Sequence, residues 1–371
     1  MSRKFLIGQL ACFGDCLYAT TVAKQIKSDF PDSHITWAVA TKYKSILLLN
    51  PFIDEIWDIE IINNDFYKNG WKLFEAEAIK RQASGIYDAL VFTQLNPIWE
   101  NLDGTIRSST LRGYKRPITV SVDPVVRLSD KEVKNVKIFA EKNKLSSYKE
   151  VILFECSPGS GQSFINLNLA IEIAEAITND LNNVCFILSS PNPLNLNKPN
   201  IIDASELSYR ENAELTKYCT LLIGCSSGIT WLATSDWAKK INMLQLLSRE
   251  FRFFAGIKYD FERWNLPTSN VIEVTVNDIN YIVNCITTIL KHDFSAAKKQ
   301  FDEIYQPQYF NFRDLIAEIL VCNQIQGFKK LNIVLKVTSN YANANKHLNG
   351  FILLYMSLLE IFTFCKSKII K

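Results

Sequence analysis

The chain has 371 residues, 48% hydrophobic and 21% charged, with a formal net charge of +3. This is ordinary globular composition, and the length favours two domains, each large enough to bury its own core. The charge is too small to argue for a nucleic-acid partner, which leaves small molecules or a weakly attracting membrane surface.

Phe5–Gly8 reads as a short apolar strand. A turn carrying Gly14 and Asp15 follows, then a helix to about Phe30. Met1–Lys4 followed by Leu10-Ala11-Cys12 superficially resembles a lipoprotein signal, but Gly8-Gln9 breaks the apolar run. A signal needs about 7–15 apolar residues, so the stretch is read as strand and helix. Strand patterns recur at His34–Ala40, within Asn50–Asp58 after an opening turn, and at Tyr87–Phe92, with helices at Lys42–Leu49 and Trp71–Ser84. Alternating strands and helices imply βαβ units and a parallel sheet. Ser108–Pro117 is basic: Arg112, beside Gly113, would contact an anion or simply lie on a solvated connection. Ser129–Lys144 reads as a capped helix, and Leu145–Glu150 as a linker.

The same grammar then restarts. Val151–Cys156 is a strand, Ser157–Ser163 a glycine-serine loop, and Leu167–Thr178 a helix. Strands at Val184–Ser190 and Leu221–Gly224 follow, with a helix at Glu211–Cys219 between them. A second small-residue turn runs from Cys225 to Thr230, before a helix at Trp231–Trp237 and a strand at Ile241–Leu246. Helices are expected at Asp278–Lys291 and Arg313–Gln324. Phe351–Cys365 is almost wholly apolar and is followed by Lys366, Lys368 and Lys371. About 15 residues are too few to span a bilayer, which takes ~20. A buried terminal helix and an interfacial helix with lysines on lipid headgroups both fit. The expected organisation is residues 1–148, 149–290 and a helical extension over 291–371.

Nine scattered cysteines and three histidines show neither a disulfide framework nor a zinc signature, the usual pattern of a cytosolic protein with reduced thiols. The two small-residue turns carry more chemistry. Each follows a buried strand and precedes a helix, so each presents backbone N–H groups and a positive dipole end to a phosphate or diphosphate. Neither has the P-loop lysine, and Gly8–Gly14 lacks the dinucleotide spacing. Tight packing alone also accounts for either turn singly. The pair, at the same end of one sheet, points to a diphosphate.

The segment Gly14-Asp15-Cys16-Leu17-Tyr18-Ala19-Thr20 resembles the heptosyltransferase-type family 9 of GT-B glycosyltransferases. So do Phe30–Trp37, Asn50–Ile56, Arg112-Gly113, Ser157–Ser160 and Gly224–Gly228 with Trp231-Leu232-Ala233. The resemblance covers roughly residues 3–250. It implies two Rossmann-like doubly wound α/β domains facing across a cleft, an inverting transfer with no metal or other cofactor, and a nucleotide-sugar donor on the second domain. The acceptor, a glycan or lipid-linked glycan as in surface polysaccharide synthesis, would lie on the first domain, near Gly14 and Arg112. Asp15 would be the general base, although its position also suits a plain helix N-cap. Donor contacts would come from Ser157, Gly159, Ser160, Gly161, Gln162, Ser163, Ser226, Ser227, Gly228 and Thr230. Trp231 would either wall the nucleotide or sit in the core. The sequence departs from the family at Ser226, where an aspartate is usual, at Trp231, where a histidine is usual, and in lacking a lysine after the first loop. These departures keep open a non-catalytic GT-B-like binding or scaffold protein. A sugar-nucleotide epimerase is a further alternative, with few histidines to support it. The scattered thiols place the chain in the cytoplasm, and an interfacial terminal helix would add a peripheral membrane contact.

Overall fold

The computed structural model describes residues 2–61, 70–95, 98–196, 198–250, 254–322 and 327–369, the side chains of 367–369 excepted. The chain forms two compact units. The first comprises Met1–Val122, Arg252–Phe254 and Pro307–Lys371, and the second Asp123–Phe251 and Ala255–Gln306.

In the first unit, strands β1 (Lys4–Gly8), β2 (His34–Ala40), β3 (Glu55–Ile59) and β4 (Ala89–Phe92) pair in the order β3-β2-β1-β4. Every pairing is parallel. Helices α1 (Phe13–Asp29), α2 (Trp71–Ala83) and α3 (Ile106–Leu111) belong to this unit. Side chains alternate across a strand. Leu6 therefore meets Trp71, Phe74 and Ala78 of α2, while Phe5 stacks against Phe30 beyond α1, ring centres 5.3 Å apart. Helix α3 lies where the sequence pointed to a basic turn. Its Ser108-Ser109-Thr110 run hides an amphipathic pattern, because these hydroxyls are themselves buried.

The second unit opens with α4 (Asp130–Lys142), begun by a capping box in which Ser129 and Glu132 satisfy each other's backbone N–H. Six strands follow: β5 (Glu150–Phe154), β6 (Val184–Leu188), β7 (Ile201–Asp203), β8 (Leu221–Gly224), β9 (Asn242–Leu246) and β10 (Val271–Val274). They pair in parallel in the order β10-β9-β8-β5-β6-β7. Helices α5 (Leu167–Asp180), α6 (Glu211–Leu215), α7 (Gly228–Ala233), α8 (Ile257–Arg263), α9 (Ile279–Lys291) and α10 (Phe294–Phe301) complete it. The inner strands are buried on both faces, as parallel sheets require. Ile152, Phe154, Phe186 and Leu244 share a core with Ile173, Ile177 and Ile282.

Residues 123–148, expected with the first domain, are held in the second unit by polar contacts. Asp236 accepts from the Val126 N–H at 3.0 Å and from Arg127 at 2.9 Å, and buried Arg210 pairs with Glu132 at 2.9 Å. Conversely, α11 (Tyr309–Val321), α12 (Phe328–Ala344) and α13 (Gly350–Ile369) pack into the first unit. Their Phe312, Ile316, Val334, Val337 and Leu353 enclose Trp99 and Leu102. The amides of Asn340 and Asn345 donate to the Glu100 and Asp103 carbonyls, both at 2.8 Å. Helix α13 is buried along one side only: Leu353 and Ser357 are buried, whereas Phe351, Tyr355 and Phe362 face outward. Among the described residues, no helix is long and apolar enough to cross a membrane.

Candidate functional site

Both sheets reverse their strand order at one place. In the first, the chain runs β1-β2-β3 in one direction and then sets β4 on the other side of β1. In the second, β5-β6-β7 run one way and β8 lies on the other side of β5. Loops leaving the carboxyl ends of such strands diverge, which opens the crevice where open α/β sheets bind ligands.

At the first reversal, the residues after β1 are clamped by those after β4. The Gln94 side-chain oxygen accepts from the Gln9 amide at 2.9 Å and from the Leu10 and Ala11 N–H groups at 3.1 and 3.0 Å. The Thr93 hydroxyl donates to the Gln9 side-chain oxygen at 2.8 Å, and the Trp37 indole N–H to the Gln9 carbonyl at 3.3 Å. This buried network fixes the turn from which α1 starts. Asp15 stands in the first helical turn, half-buried beside Gly14. Burial pushes its carboxyl up to about 7, against the opposing pull of the Cys12 backbone N–H. A carboxyl held there changes charge near neutrality, as a general base requires.

At the second reversal, the Ser157–Ser163 loop after β5 and the Cys225–Thr230 turn after β8 leave neighbouring strands. They differ in how far their polar groups are used within the protein. Glu155, 2% exposed, reaches across from the end of β5. Its carboxylate accepts from the Cys225 N–H at 2.9 Å, the Ile229 N–H at 2.8 Å and the Thr230 hydroxyl at 2.6 Å. Burial raises its pKa, and these donors oppose the rise. The Ser226 N–H, on a residue with φ +51°, donates to the Gln245 side chain at 3.1 Å. Thus two N–H groups and the Thr230 hydroxyl of this turn are already taken up by a side chain of the same unit. Trp231 is 6% exposed, and its indole N–H donates to the Ser226 carbonyl at 3.3 Å. Gly228 gives room to Tyr209, whose hydroxyl a Cβ would meet at 2.6 Å and which donates to the Gly228 carbonyl at 2.6 Å.

The Ser157–Ser163 loop is more open. Ser157, Gly159 and Gly161 are exposed, and a Cβ on Gly159 would meet nothing within 4 Å. Ser163 is anchored, donating to the Leu246 carbonyl at 2.5 Å, and the Gln162 carbonyl accepts from the Ser248 N–H at 2.9 Å. The Ser160 hydroxyl accepts from the Gln162 N–H at 3.3 Å. The start of α5 is capped by Asn166, which accepts from the Leu169 N–H at 3.1 Å. Backbone and hydroxyls over 157–161, with the half-buried Ser227, are the polar groups this reversal turns outward.

Arg112 follows the last residue of α3. Its guanidinium donates to the Asn101 carbonyl at 2.6 Å and to Asp103 at 2.8 Å, and Asp103 is itself buried and bonded to Thr105 and Ser109. Among the described residues, no three His, Cys, Asp or Glu side chains gather as a metal centre needs.

Sequence reasoning did not single out Gln9, Gln94, Glu155 and Gln245. Their common signal is a polar side chain at or just beyond the end of an apolar strand, as in Phe154-Glu155.

No protein-family profile matches the sequence, and comparison with curated proteins finds no match. Solved structures do resemble it. A glycosyl transferase of family 9 from Veillonella parvula superposes with a TM-score of 0.56 at 13% identity, over 80% of this chain and 94% of that one. The E. coli ADP-heptose lps heptosyltransferase II superposes with a TM-score of 0.51 at 12% identity, over 78% of this chain and 98% of the other. At such identities the likeness is one of fold. The chain has the heptosyltransferase-like GT-B fold that its sequence resembles, with a helical C-terminal stretch.

Proposed function

We propose that the chain is an inverting glycosyltransferase that moves a sugar from a nucleotide-sugar donor to an acceptor hydroxyl, with Asp15 as general base. The acceptor oxygen attacks the anomeric carbon while Asp15 takes its proton, and the bond from that carbon to the diphosphate oxygen breaks. The departing diphosphate gains charge, which N–H groups and hydroxyls already oriented around it stabilise. Those of Ser157, Gly159, Ser160 and Gly161, with Ser227, are assigned this role. Gln162, Ser163, Ser226, Gly228 and Thr230 shape the two turns, Trp231 supports the second, and Arg112 orders the acceptor side through Asp103. No step here is assigned to a metal.

The observation that carries this reading is the Asp15 carboxyl, poised at about 7 on a rigid turn at a strand-order reversal. Thermal-shift titration with ADP, UDP, GDP and CMP identifies the nucleotide. ADP leads because one structural neighbour is named for ADP-heptose. Asp15→Asn is expected to abolish transfer and leave nucleotide binding intact. Full transfer by this variant would remove Asp15 as base.

A second reading has its own support. Glu155 already takes up two N–H groups of the turn after β8, which suits a GT-B-like binding protein without donor chemistry. Failure of every nucleotide to shift the melting temperature would favour it.

A further inference from the structure

Helices α12 and α13 form an antiparallel hairpin. Lys330 lies over the Phe364 ring at 5.0 Å, the Thr338 and Ser357 hydroxyls meet at 2.7 Å, and a Cβ on Gly350 would lie 3.6 Å from that of Ala342. One side of α13 faces the core through Leu353, Ser357 and Phe364. Its other side is apolar too. Phe351, Leu354, Tyr355, Leu358, Leu359 and Phe362 are all exposed, Phe351 at 85% and Phe362 at 66%. At 3.6 residues per turn they fill an arc of roughly 140° over about 17 Å, with no charge inside it. A soluble surface rarely leaves so continuous an apolar stripe uncovered.

Charge indicates what covers it. Residues 327–371 contain seven lysines and one glutamate, a net of +6, so the rest of a chain of net +3 carries −3. Lys329 and Lys366 are exposed at the end of the hairpin where Lys330 meets Phe364. There Phe328 stands 88% exposed. Two copies packed stripe to stripe would set each basic cluster against its twin if parallel, or against the positive N-terminal end of the other α13, beside Lys346, if antiparallel, with no counter-charge in either case. An anionic lipid surface offers both a cover for the stripe and counter-charge for the lysines.

We propose that the outer face of α13 docks on an anionic lipid surface, with its apolar stripe in the headgroup layer and Lys329 and Lys366 on the lipid phosphates. This does not depend on sugar transfer. It is tested by floating the full-length protein with vesicles of phosphatidylcholine alone or containing 30% phosphatidylglycerol. The protein is expected to float with the anionic vesicles and to be released by salt. Tyr355→Glu with Phe362→Glu should weaken binding at least ten-fold, with circular dichroism and melting temperature unchanged because both side chains are exposed. Lys329→Glu should weaken it roughly five-fold or more. Absence of binding to anionic vesicles, or equal binding by the double variant, overturns the proposal. So does a dimer in lipid-free solution that the double variant makes monomeric, which would assign the face to a second copy.

Discussion

The Asp15 carboxyl ties chemistry to stability through its proton. Burial raises its pKa from 3.8 to about 7 in the folded protein. Between those values the folded chain holds a proton that the unfolded chain has released, so stability falls as pH rises through this window. The cost of the buried charge is absent below pH 4 and complete above pH 7, and at 1.36 kcal/mol per unit it is at most about 4 kcal/mol. Asp15→Asn should therefore melt several degrees above the parent at pH 8 and level with it near pH 4, as calorimetry across that range would show. With Asp15 as the proposed base, transfer is expected to fall as pH drops below about 7, because a base must be ionised. Glu155 acts in the opposite sense under mutation. Its carboxylate satisfies two backbone N–H groups and a hydroxyl, so Glu155→Leu should lower stability by about 3 kcal/mol, read by urea denaturation. Glu155→Gln should cost less.

At the scale of elements, space decides which glycines matter. A Cβ on Gly113 would lie 2.4 Å from the Phe92 carbonyl oxygen, a backbone atom that cannot move aside. Gly113→Ala should destabilise by about 2 kcal/mol or more. Gly159→Ala, with open space around it, should leave the melting temperature unchanged, so any loss of nucleotide affinity would report directly on the proposed phosphate loop. The same contrast explains what was legible in the sequence. Strands such as Val184–Leu188 and the turn before Asp15 announce themselves through apolar runs and glycine. Helix α3 does not, because its buried face is made of serine and threonine. Helix α7 starts at Gly228 rather than Trp231, since Glu155, distant in sequence, caps its first turn. A strand-end glutamate bonded across to the next strand's turn leaves no local pattern. The adjacency of the two small-residue turns was readable, but which of them has its polar groups bonded within the chain was not.

For the molecule as a whole, the last three helices belong to the core of the first unit. Trp99 and Leu102 share one core with residues of α11, α12 and α13. A chain ending at residue 326 should consequently aggregate or melt far below the parent, and light scattering on heating would show it. Lipid binding is therefore better probed by substitutions on α13 than by truncation. Membership of the terminal helices in the first unit was hidden in the sequence, because their apolar spacing specifies a buried face without naming its partner.

That discontinuity also dictates an order of events during synthesis. The second unit, over Asp123–Gln306 apart from a short stretch, has all of its strands before the first unit can close. Once Leu102 has left the ribosome, Trp99 and its neighbours wait for roughly 200 more residues before Phe312 and Ile316 arrive. At about 5–20 residues per second this is roughly 10–40 s. Throughout that interval a half-built apolar surface is presented to the cell, so the nascent first unit is where chaperone capture should concentrate.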